Sequence, residues 1–137
     1  MKDTGAPIFR VAPVNLEPDD VWKGFGEHTS DDLAAAFELR TPVSSEDLEQ
    51  GAKLWKAFRH REGSILRILG EYRSPAMPFL KEVAEAASEI DSRPLQIVRE
   101  IRSEGFSTID EVFSEFKKRA GVYGFGDLQV ERLRDSI

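Results

Sequence analysis

Few residues in this chain are spaced to do chemistry. Histidine occurs twice, at His28 and His60, far apart and without a carboxylate at ligand spacing. A zinc or iron site needs three or four converging ligands, so no metal is expected. Cysteine is absent, which removes disulfides, thiolate ligands and Cys nucleophiles. The serines at 30, 44, 64, 74 and 107 each stand where a helix N-cap is wanted, and no G-x-S-x-G elbow surrounds any of them. Gly24-Phe25-Gly26 and Gly121-Val122-Tyr123-Gly124-Phe125-Gly126 lack both the preceding strand and the GK[ST] ending of a phosphate loop. They read as tight turns, with Tyr123 and Phe125 plugging the core. No cofactor is expected. The acids Asp31/Asp32, Glu46/Asp47/Glu49 and Glu82/Glu85/Glu89 read as solvated helix faces. Their convergence in three dimensions would open a carboxylate-based enzyme reading.

Binding chemistry has two sets of candidates. The large rings Trp22, Phe25 and Trp55 are candidates for a partner surface. For nucleic acid, the candidates are Lys117 and Lys118 with Gln129, Arg132 and Arg134 on a helix over 127–135. Charge argues against that second set. The chain carries 19 Lys+Arg against 25 Asp+Glu, a net −6, and residues 94–137 hold seven basic and eight acidic side chains. A DNA reader usually shows a basic footprint. Asp127, Glu131 and Asp135 interrupt the would-be recognition helix, and Lys117-Lys118-Arg119 suits a helix C-terminus without further explanation.

The elements that must hold these residues are mostly helical. Ile8-Phe9-Arg10-Val11, bounded by Pro7 and Pro13, is the single strand candidate. It has no obvious sheet to join, and a lone edge strand invites a second copy of the chain. Residues 1–28 therefore read as an extended segment and loop. Residues 29–92 read as a helical core. Thr29-Ser30-Asp31-Asp32 and Ser44-Ser45-Glu46-Asp47 are helix starts, and the second helix carries the stripe Leu48, Ala52, Trp55, Phe58. A short apolar helix from Gly63 ends at Gly70, and a long one runs from about Pro78 to Ile90. Residues 93–137 read as a three-helix unit: Leu95–Ile101, then a helix capped by Ser107 with Val112, Phe113 and Phe116, then one opened by Asp127. The spacing fits a helix-turn-helix, or wingless winged-helix, arrangement and equally a small bundle. The fold class is mainly α with one short N-terminal strand.

Several short motifs resemble a known family. Gly24-Phe25-Gly26-Glu27 precedes Ser30-Asp31-Asp32-Leu33-Ala34-Ala35-Ala36-Phe37, then Arg40-Thr41-Pro42-Val43 and Leu54-Trp55-Lys56-Ala57-Phe58-Arg59. Ser74-Pro75-Ala76-Met77-Pro78-Phe79-Leu80 and Gly126-Asp127-Leu128 with Leu133 follow. In order and spacing these resemble the bacterial domain-of-unknown-function family 1835 with its helical C-terminal partner, domain-of-unknown-function 3658, over about residues 8–137. The resemblance implies that this chain corresponds to the C-terminal half, with residues 8–11 as the last strand of a preceding α/β domain. It implies an architecture, not a chemistry.

No apolar run approaches the roughly 20 residues of a membrane span, and residues 1–20 lack a signal-type apolar core. Cytoplasmic placement is the expectation. The leading functional expectation is a non-catalytic module that binds a protein partner or forms a homodimer. A transcription-regulator-like DNA binder using helix 127–135 and a carboxylate enzyme are the alternatives.

Overall fold

The computed structural model describes residues 6–137, so residues 1–5 of the N-terminal segment lie outside the described residues. The chain is mainly α-helical. Its order is β1 (Phe9–Arg10), a 3-10 turn (Pro18–Asp20), α1 (Ser30–Glu38), β2 (Thr41–Pro42), α2 (Ser45–Arg59), α3 (Gly63–Leu69) and α4 (Leu80–Ser88). Then come α5 (Arg93–Ser103), α6 (Ile109–Ala120), a 3-10 turn (Gly121–Tyr123) and α7 (Asp127–Asp135).

One device starts three of the helices. The Thr29, Ser44 and Thr108 hydroxyls accept the backbone N–H of the third helical residue, whose carboxylate accepts the cap's own N–H. Two otherwise orphaned donors are satisfied each time. At α7 the Gln129 side-chain oxygen accepts the Gly126 N–H at 2.9 Å. The caps differ in detail from the sequence expectation. Of the five serines only Ser44 caps a helix; Thr108, not Ser107, caps α6, and Gly126, not Asp127, precedes α7.

The strand candidate finds its partner within the chain. β1 pairs antiparallel with β2, Phe9 facing Pro42 and Arg10 facing Thr41. The Val43 N–H donates to the Ile8 carbonyl at 2.9 Å, so Phe9–Pro42 is a non-hydrogen-bonded pair. Pro42 has no N–H to give, and this is the ladder position that asks for none.

Two packed regions follow. In the first, α2, α3 and α4 pack around Ala57, Leu66, Ala76, Leu80 and Ala84. Ala57 and Ala84 are small, which lets the helices run close. A Cβ on Gly70 would fall 2.7 Å from the Ala84 Cβ, nearer than real side chains approach. In the second, α5, α6 and α7 enclose Ile97, Val98, Ile101, Val112, Phe116, Ala120 and Val130. Phe125 stacks on Phe116 with centroids 5.9 Å apart. The regions meet where α4 packs on the 121–123 turn.

Candidate functional site

The three aromatic candidates do not form one surface. Trp22 is half-buried: it packs 5.3 Å from the Phe79 ring, and its Cδ1 lies 3.0 Å from where a Gly121 Cβ would stand. It straps the N-terminal segment across the seam between the two packed regions. Phe25 is 39% exposed and stacks edge-on against His28 at 5.3 Å. Trp55 is 61% exposed on α2, beside Phe58 at 6.1 Å. His28 itself is half-buried, and its Nε2 accepts the Val14 N–H at 3.0 Å, which ties the extended segment to the loop before α1.

The five residues considered for nucleic acid are likewise dispersed and mostly engaged. Lys118 pairs with Glu115 at 3.0 Å, and Lys117 lies over the Phe113 ring. Gln129 is held by its capping role. Arg134 donates to the Ser107 carbonyl and to Asp135, leaving Arg132 exposed beside Glu131. Trp22, Lys117 and Lys118 do share an open cleft of about 880 Å³ between residues 18–23 and 114–125. Asp19, Asp20 and Lys23 also line it, so its charge is mixed.

Among the described acids one is buried. Asp47 is 3% exposed. Its carboxylate accepts the Ser44 N–H at 2.9 Å and the Tyr72 hydroxyl at 2.7 Å. These bonds, led by the Ser44 N–H and joined by the Ser74 hydroxyl, lower the Asp47 carboxyl to about 2. Donation to Asp47 raises the Tyr72 phenol to about 12. Asp32, Glu111 and Glu115 are also held below the usual carboxylate range, the first two by cap N–H groups and the third by Lys118 and Arg119. Hydrogen bonds to the charged form do this, and an acid catalyst needs the opposite shift.

The surface that stands out holds none of the aromatic candidates of the sequence. On α1, Leu33 is 48% and Phe37 53% exposed, and only Ala36 of that helix is buried. Phe9 of β1 is 40% exposed. Arg40, between α1 and β2, joins them: its guanidinium carbon lies 4.2 Å from the Phe37 centroid and 4.9 Å from that of Phe9. Its Nη1 donates to the Phe37 carbonyl at 3.0 Å, while its Nε is buried with no partner among the described residues. Two rings holding one guanidinium make a firm apolar platform with a cation set into it. The signal available beforehand was Phe37 three residues ahead of Arg40, a spacing that lets ring and guanidinium meet.

Among the described residues no group of three or more His, Asp or Glu side chains could hold a metal ion, and no helix is long and apolar enough to cross a membrane. No family model matches the chain, and no curated protein or solved structure matches it.

Proposed function

We propose that the chain is a non-catalytic protein-interaction module whose contact surface is α1 together with the β1–β2 ribbon. The observation that supports this reading is the concentration of exposed large apolar groups there. Phe9 and Phe37 flank Arg40, Leu33 lies one helical turn before Phe37 on α1, and Leu39 follows at 74% exposure. Single exposed apolar residues are ordinary, whereas a contiguous set with aromatic members and an Arg is the composition of an interface centre. Membership of family 1835 belongs to this proposal and rests on the short motifs alone.

The test is selection of a random linear peptide library, displayed on phage, against the immobilised full chain. The reading expects enriched peptides whose binding falls at least tenfold on Phe37→Ser, with the helical circular dichroism of the variant unchanged. Failure to enrich any peptide, or enrichment indifferent to Phe37, would contradict it.

A further inference from the structure

The interaction reading leaves the partner's chemistry open, and the ribbon narrows it. Four arginines among the described residues are half-buried: Arg10, Arg40, Arg93 and Arg134. Arg93 pairs with Glu100 and Arg134 with Asp135. Arg10 and Arg40 have no carboxylate partner among the described residues, although the chain has more acids than bases. Taking a cation partly out of water without a counter-charge is unfavourable. Both unpaired arginines belong to the same small ribbon, Arg10 in β1 and Arg40 directly before β2.

The ribbon also has an open edge. In an antiparallel ladder the backbone groups of a non-hydrogen-bonded residue point away from the partner strand. Phe9 is such a residue, so its N–H and C=O face outward, away from β2. Its ring lies on the Arg40 face of the ribbon, and alternation places the Arg10 side chain on the other. A strand added at this edge would send alternate side chains to both faces, each of which offers an arginine.

We infer that the β1 edge takes up an extended acidic peptide segment, whose backbone pairs with Phe9 and whose carboxylate is received by Arg40 beside the Phe9 and Phe37 rings. This rests on the interaction reading and specifies it. Strand addition draws affinity from main-chain bonds and selectivity from side chains at alternate positions. An Arg–carboxylate bond is among the stronger ones available at such a site. Charge complementarity separates this occupant from a second copy of the chain. Two β1 edges meeting about a two-fold axis would bring Arg10 and Arg40 toward their own copies.

The experiment is an amide NMR titration of the full chain. The probes are a short end-capped peptide alternating Val and Glu, and the same peptide with Gln for Glu. The Glu peptide is expected to bind at least tenfold more tightly, a ratio that a charge-assisted bond supplies. It should shift the Phe9 and Phe37 amides and lose that preference in Arg40→Gln. Arg40 supports the packing of two rings, so Arg10→Gln serves as a second variant; it should cut the preference by a smaller factor with the fold intact. Equal binding of the two peptides would overturn the inference. Shifts confined to α5–α7 would overturn it as well. So would a concentration-dependent dimer through β1, which would assign the edge to a second copy. If library peptides bind at Phe37 while both probes fail, this inference falls and the interaction reading stands. An empty library selection removes both.

Discussion

In α5–α7, Val98, Ile101, Val112 and Val130 are fully buried and Phe116 is 1% exposed, whereas in the ribbon and α1 only Ala36 is buried and the larger apolar side chains face outward. The two regions have similar residues and comparable caps. Thr29–Asp32 at α1 and Thr108–Glu111 at α6 are the same hydrogen-bonded box. What differs is the presence of something to pack against. α6 is flanked by α5 and α7, while α1 leaves Leu33 and Phe37 uncovered. Local signals start a helix, and tertiary neighbours decide what its apolar face is for. The C-terminal region turns that face into stability, and under the proposed reading the N-terminal region keeps it for recognition.

The largest expected effect lies on the buried side of this contrast. Phe116→Ala should destabilise the chain by about 3–5 kcal/mol in denaturant unfolding, the usual cost of emptying a core of that size. Phe37→Ser removes a ring that is 53% exposed and should cost only about 1 kcal/mol, the scale of its contact with the Arg40 guanidinium. A large cost at Phe37 would place it in the core after all.

Next comes the close approach of α3 and α4. Gly70→Ala puts a methyl where the Ala84 Cβ already stands and should cost about 1–3 kcal/mol, read as a lowered unfolding midpoint. Its backbone is right-handed helical, so steric contact is the cause and no left-handed strain is relieved or added. Gly70→Ala with Ala84→Gly should recover most of the loss.

A smaller effect belongs to the cap of α2. Ser44→Ala should cost about 1 kcal/mol. The same cap gives a pH dependence. The Asp47 carboxyl is depressed from 3.8 to about 2 in the folded chain, so its contribution is fully present above the unfolded value and is lost as pH falls from about 4 toward 2. Tyr72 works in the other direction. Its phenol is raised from 10.0 to about 12, so its contribution holds below 10 and is lost as pH climbs through that window. Unfolding midpoints followed across both windows should be flatter at the acid end in Asp47→Asn and at the alkaline end in Tyr72→Phe.

Much of the fold was legible because its signals are local. Val112, Phe113 and Phe116 at helical spacing, with basic residues at the helix end, announce α6. Ser44 ahead of Asp47 announces α2. The faces of the helices were less legible. The stripe Leu48, Ala52, Trp55, Phe58 leads on α2, yet the buried side runs through Asp47 and Ala57, with Leu54 half-buried and Trp55 outside. The helix is turned by about one residue, because the Asp47 carboxylate is bonded inward to Tyr72 and Gly51 lies against Met77. Residues 25 and 26 positions downstream of Asp47 and Gly51 determine that rotation, and periodicity cannot see them. β2 was hidden for another reason. Thr41-Pro42 reads as a helix stop, and proline counts as a strand partner only once the register is known. The expected continuation of α4 to Ile90 stops instead at Ser88, where the Ser88 hydroxyl bonds back to the Glu85 carbonyl. The proposed contact surface was the least legible part. Phe37 and Arg40 are three residues apart in every reading of the sequence, but the second ring, Phe9, reaches them only through the β1–β2 pairing.

The most direct test of the separation between stability and recognition is a paired measurement on Phe37→Ser. Denaturant stability and affinity for the library-selected peptide are read on the same protein. The expected result is a small loss of stability, about 1 kcal/mol, together with at least a tenfold loss of peptide affinity. A destabilised variant whose affinity falls only with its folded fraction would contradict it and return α1 to the core.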